Sequence, residues 1–90
     1  MAWQIILKPQ MERQLKKLRR KQTQLEQEVL KVHLPKIAQA PRSIGKHLKG
    51  RLQCVWRYAF GHHPEYRIIY EIKGNEVHIL DIDTRENIYD

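Results

Sequence analysis

Residues 66–82, YRIIYEIKGNEVHILDI, decide the fold. Two runs rich in β-branched and aromatic residues flank Gly74-Asn75, a dipeptide that marks a tight turn between antiparallel strands. A two-residue turn there predicts the cross-strand partners Ile72–Val77, Glu71–His78, Tyr70–Ile79, Ile69–Leu80 and Arg67–Ile82. Arg67 then shares a face with Ile69, Glu71, His78 and Leu80. A guanidinium in an apolar strand is costly unless it is paired or used. It either pairs structurally with Glu71 or lines a site, and we read it as lining a site. His78 opposite Glu71 reads as a satisfied cross-strand pair.

Upstream, residues 61–65 (GHHPE) form a turn, and residues 51–60 (RLQCVWRYAF) alternate as a strand. Leu52, Cys54, Trp56, Tyr58 and Phe60 lie on one face of that strand, and Arg51, Gln53, Val55, Arg57 and Ala59 on the other. Residues 42–50 read as a basic loop framed by Gly45 and Gly50. At the start of the chain, residues 2–8 place Trp3, Ile5 and Leu7 on one face of a strand that Pro9 ends. Met11, Leu15 and Leu18 then recur as the apolar stripe of a charged helix. That helix turns near residues 20–23, and Thr23 with Glu26 has capping-box spacing for a second helix. Leu25, Val29 and Val32 supply the second apolar face, widened by Leu30 and Leu34. Pro35 marks the end of this helix or a kink, and Pro41 stops it. The expected fold is α+β, with order β-α-α-β-β-β, as a helical hairpin packed on an antiparallel sheet in a single domain over residues 1–90.

Composition narrows the function. The chain has 90 residues, and a domain this small buries only about 60–65% of its unfolded surface, so a partner chain is expected to complete it. One cysteine, Cys54, excludes an internal disulfide framework and fits a reducing compartment. No apolar run reaches the roughly 20 residues of a membrane span, and no signal peptide is recognisable, so a cytoplasmic protein without membrane contact is expected. Residues 1–57 carry a net charge of +11 and residues 58–90 carry −4. That asymmetry points to a polyanion or an acidic protein as partner.

The reactive groups form a set of cations, imidazoles and phenols. His62 and His63 are adjacent and project to opposite sides of an extended chain, so they do not easily chelate one ion, and no metal or nucleotide motif is present. Neither a metal nor a cofactor is expected. Arg57, Arg67 and Arg85 can clamp a phosphate. His47, His62, His63 and Tyr89 can move protons, and Lys46 and Lys49 can hold neighbouring phosphates. Such a set suits RNA cleavage by the substrate's own 2′-hydroxyl, which needs a base, an acid and cations for the charge of the phosphorane.

The order of elements, with Leu48-Lys49-Gly50, Tyr66-Arg67-Ile68-Ile69-Tyr70, a further hydrophobic strand, and Arg85 four residues before Tyr89, resembles the RelE/ParE superfamily of toxins from type II toxin–antitoxin pairs. The likeness runs from Trp3-Gln4-Ile5 to the end of the chain. It implies a RelE-like fold and an acidic antitoxin encoded by a neighbouring gene, forming a toxin–antitoxin hetero-oligomer. In the RelE branch it implies an mRNA interferase that enters the ribosomal A site and cuts without a metal. Arg67 matches the family's phosphate-stabilising arginine, and Arg85 and Tyr89 match its C-terminal arginine and aromatic. Lys46, Lys49, Arg51 and Arg57 lie where the family carries RNA-binding cations. His62 and His63 extend a loop and are placed to supply proton transfer. Many relatives carry a histidine or arginine just before the position of Arg85, where this chain has Asp83-Thr84. That departure keeps two alternatives: a ParE-like, non-nucleolytic toxin acting on DNA gyrase, or a decayed toxin that only binds its antitoxin.

Overall fold

A computed structural model describes residues 3–48, 55–62 and 64–84, with Asp83 and Thr84 described by their backbone. Strand β1 (Gln4–Leu7) leads into helix α1 (Pro9–Lys21). Pro9 sits in the first turn, where its missing N–H costs nothing. Glu12 in the first turn and Arg19, Arg20 and Lys21 in the last complement the helix dipole. The chain breaks at Gln22, within the expected turn. Helix α2 (Thr23–Glu28) then runs through a π-helical turn (Val29–His33) into helix α3 (Leu34–Gln39). A short helix α4 (Pro41–Ile44) and a two-residue strand β2 (Lys46–His47) occupy the stretch expected to be a loop. Strands β3 (Val55–Phe60), β4 (Tyr66–Lys73) and β5 (Glu76–Thr84) complete the sheet.

The sheet order is β1-β5-β4-β3-β2. All neighbours are antiparallel except β1, which runs parallel to β5, with Ile5 opposite Val77 and Leu7 opposite Ile79. The sheet is therefore mixed rather than purely antiparallel. The α+β class and the helical layer on one face agree with the expectation.

The π turn accounts for two departures. Leu25, Val29, His33 and Ile37 are all buried at intervals of four residues. In a straight α-helix each such step rotates the side chain by about 40°. The wider π turn absorbs that drift, with Leu34 N–H bonding to the Val29 carbonyl. His33 consequently faces inward, and Val32, expected in the core, is 41% exposed. Widening at Lys31 also eases the clash that Pro35 makes with the carbonyl four residues back, so the helix passes through Pro35 and stops before Pro41. The capping box does not form. The Thr23 hydroxyl donates to the Arg19 carbonyl at 2.9 Å, and buried Glu26 accepts from Arg19 Nε at 2.9 Å.

One face of the sheet packs on the helices. Tyr58, Phe60, Ile68, Tyr70, Val77, Ile79 and Ile82 meet Met11, Leu15, Leu25, Val29, Leu34 and Ile37 there. Truncating such a residue, Ile68 for example, costs about 2–5 kcal/mol. Tyr70 is fully buried, and its hydroxyl donates to the Pro41 carbonyl at 2.7 Å. A Cβ at Gly45 would collide with that hydroxyl, which is why the chain has glycine there. Gly74, at φ +59°, makes the predicted hairpin turn.

The hairpin register agrees with expectation as far as Tyr70–Ile79 and then shifts. Ile69 pairs with Asp81 rather than Leu80, and Arg67 with Asp83 rather than Ile82. Without this bulge, Asp81 would oppose Ile68 on the helix face and Ile82 would turn outward. One extra residue in β5 keeps Ile82 in the core and Asp81 out of it.

Candidate functional site

The sheet face opposite the helices carries the candidate site. Alternation places Lys46, Arg57, Ile69 and Asp81 on one rung across four strands, and Ala59, Arg67 and Asp83 on another. Three of the predicted cations, Lys46, Arg57 and Arg67, thus share one face. Lys46 is exposed on the edge strand and Arg57 half-buried.

Arg67 is 7% exposed, in the second strand position of β4. Its Nε and Nη2 both donate to Oε1 of Glu65, at 3.2 and 3.1 Å. Glu65 is therefore a carboxylate partner of Arg67, whereas Glu71, the structural partner weighed against a site role, lies 3.6 Å from Lys73 Nζ. His78 does oppose Glu71 in register, but its Nε2 bonds to Glu76 Oε1 at 3.0 Å, so the predicted cross-strand pair is replaced by one along the same strand. His62 is exposed in the turn that leads from β3 to Glu65. His47 stacks on Trp56, with centroids 4.6 Å apart. His63, Lys49, Arg51, Arg85 and Tyr89 lie outside the described residues. Among the described residues no group of three or more His, Cys, Asp or Glu is placed to hold a metal ion.

With the fold and the Arg67 face in view, comparison with known proteins decides the family. A family model for the ParE-like toxin of type II bacterial toxin–antitoxin systems matches residues 5–90. The chain belongs to that family. The toxin fold is also similar to a chain of the RelBE2 toxin–antitoxin complex from Mycobacterium tuberculosis, with TM-score 0.80 and 23% identity over 94% of this chain and 100% of that one. It is similar to the YoeB dimer of Staphylococcus aureus, with TM-score 0.67 and 20% identity over 90% of this chain and 94% of that one. A conserved hypothetical protein of Helicobacter pylori gives TM-score 0.67 and 18% identity, covering 97% and 99% of the two chains. No curated protein sequence matches. The expected RelE/ParE-like membership and fold therefore hold.

The toxin also has a polar cluster that the sequence reading missed. Beneath β3, buried His33 lies 2.7 Å from the Tyr58 hydroxyl through Nδ1 and 2.7 Å from Glu28 Oε2 through Nε2. One tautomer satisfies both contacts: Nε2–H donates to Glu28 while Nδ1 accepts from Tyr58. The ring stacks on Phe60 at 3.9 Å, and Phe60 stacks on Tyr66 at 5.5 Å. Burial, and secondarily the Glu28 carboxylate, raises the Tyr58 pKa above its ordinary value. The four-residue spacing of Leu25, Val29, His33 and Ile37 was the signal that could have found His33. Leu7 of β1, Leu15 of α1 and Leu30 of the π turn line a groove of about 210 Å³ bordered by Glu12, Lys16, Arg19 and Glu26. No helix among the described residues is long and apolar enough to cross a membrane.

Proposed function

We propose that this toxin is a metal-free mRNA endoribonuclease that acts in the ribosomal A site, and that an acidic antitoxin encoded beside it neutralises it. The observation that carries the reading is the seat of Arg67. A nearly buried guanidinium on the helix-free face, with Arg57 and Lys46 on the same side, is a fixed cation of the kind that stabilises a phosphorane. In the reaction, the 2′-oxygen attacks the adjacent phosphorus as its proton passes to a base. The bond from phosphorus to the 5′-oxygen then breaks, and an acid protonates that oxygen. The products are a 2′,3′-cyclic phosphate and a 5′-hydroxyl. Arg67 and Arg85 hold the phosphorane charge. Tyr89 or one of His62 and His63 handles protons, while Lys46, Lys49, Arg51 and Arg57 grip the RNA backbone. The basic helical hairpin suits an antitoxin segment that carries acidic residues. RelBE2, one chain of which this fold resembles, is itself a toxin–antitoxin complex.

Asp81 on the Arg67 face, and Asp83-Thr84 in the sequence where many relatives carry a histidine or arginine, favour the second reading, a non-nucleolytic toxin that acts on DNA gyrase, because acids repel a backbone phosphate. Induced cells separate the two. Wild type is expected to cut ribosome-bound mRNA, and Arg67→Gln and Arg85→Ala are each expected to lower that cutting by about 10²–10³-fold. A DNA-damage response with intact mRNA would overturn the ribonuclease reading in favour of gyrase. Absence of any arrest would leave antitoxin binding as the sole function.

A further inference from the structure

We infer that Glu65 is an internal stand-in for the substrate phosphate, seated on the Nε–Nη2 edge of Arg67 until a phosphodiester displaces it. This rests on the proposal that Arg67 receives phosphate. Three features of the contact mark it as displaceable. Both Arg67 donors converge on a single carboxylate oxygen, at 3.2 and 3.1 Å. A charge-assisted fork uses two oxygens at about 2.7–2.9 Å, so this grip is long and half-formed. The Glu65 side chain is also 38% exposed against 9% for Arg67, which lets the acid swing into water while the arginine stays in place. Finally, Glu65 ends a connecting turn that contains Gly61 at φ +86° and Pro64, whereas Arg67 is held in the paired part of β4.

The chemistry of the exchange follows. A phosphodiester has two non-bridging oxygens with the spacing of the Nε–Nη2 edge, and forms the two parallel bonds that Oε1 alone does not. In the free toxin, Glu65 offsets part of the cost of a nearly buried cation. In the complex, the phosphate takes over that task and Glu65 is released to solvent. Glu65 therefore sets a threshold. It weakens binding of isolated phosphate while leaving the bond-breaking step unchanged, so its removal acts on KM rather than on kcat.

The test is Glu65→Gln, which keeps the shape and removes the charge. Purified toxin titrated with inorganic phosphate and followed by NMR at the Arg67 Nε–H is expected to bind about two- to fivefold more tightly in Glu65→Gln. The same variant is expected to unfold at lower urea concentration without phosphate. Glu12→Gln, an identical charge change on α1 behind the sheet, controls for the general field, with an expected change below about 1.5-fold. Unchanged or weaker phosphate binding in Glu65→Gln overturns the inference, because Glu65 would then only hold the arginine in position. Equal tightening in Glu65→Gln and Glu12→Gln overturns it as well. Tighter phosphate binding in Glu65→Gln, with no cutting of ribosome-bound mRNA by wild type, overturns the ribonuclease reading and leaves the exchange at Arg67 standing.

Discussion

The Glu28–His33–Tyr58 chain and the Glu65–Arg67 pair are polar contacts of almost equal burial on opposite faces of one sheet. The His33 side chain is 8% exposed and that of Arg67 is 9%, and their carboxylate partners are 50% and 38% exposed. They differ in closure. His33 is held at both ring nitrogens at 2.7 Å and sandwiched against Phe60, so its geometry has no slack. Arg67 meets one oxygen of Glu65 at 3.1–3.2 Å. Tight closure at both ends ties the π turn to β3 and serves the fold. The longer contact with half-exposed Glu65 is the place where we infer exchange. Equal burial thus tells nothing about role until the donor–acceptor geometry is read with it.

The comparison breaks first at His33. His33→Ala removes the Phe60 stack and the link from Glu28 to Tyr58, and leaves a hole beneath the π turn. A loss of about 2–4 kcal/mol in urea unfolding is expected. Arg67→Gln, which spares every contact on the helix face, is expected to cost under about 1.5 kcal/mol despite equal burial, because Glu65 returns to water. Equal losses in the two variants would mean that the Arg67 pair is also structural, and the division between the faces would fall.

A second test uses pH. Burial pushes the Tyr70 phenol up to about 12, above the ordinary value near 10 of the unfolded chain. A raised folded-state pKa means that the protein holds this proton more tightly than the unfolded chain does. The resulting stability is complete below about pH 10 and is lost as pH rises through about 12. Two pKa units correspond to roughly 2–3 kcal/mol. Tyr58, raised by burial and by Glu28, loses its contribution in the same direction. The urea midpoint should therefore fall steeply between pH 10 and 12, and Tyr70→Phe should flatten most of the slope. A flat profile in wild type would show that the helix face admits charge, contrary to its tight closure.

The two faces also differ in how far the amino-acid sequence displays them. The hairpin at Gly74-Asn75, the stripe of Met11, Leu15 and Leu18 and the alternation through Tyr58 and Phe60 are local signals, and each is present in the fold. The β5 bulge is not local. Nothing within Ile79-Leu80-Asp81 marks the extra residue; the choice is made by the need to seat Ile82 against the helices. The π turn likewise emerges from packing, since a histidine at an interval of four from Val29 reads as polar until β3 supplies Tyr58. Pairing of β1 parallel to β5 depends on a crossover that no short window records. At the candidate site, Arg67 stood out as a lone cation in an apolar strand. Glu65, two residues away, reads as part of the turn over residues 61–65.

On the helix face the smallest effect is expected from Tyr58→Phe, and it is the sharpest probe of closure. The ring, its packing and its tilt against Phe60, with centroids 6.1 Å apart, are kept, and one hydroxyl is lost. His33 Nδ1 then faces a buried space without a donor. Leaving such a group unsatisfied costs about 1–2 kcal/mol, and that loss should appear in the urea midpoint with an unchanged m-value. In a double variant with Glu28→Gln, the two losses should fall short of additivity, because both act through one imidazole. Strict additivity would mean that Tyr58 and Glu28 contact His33 independently, and that the relay from half-exposed carboxylate to buried phenol is two separate bonds rather than a single latch.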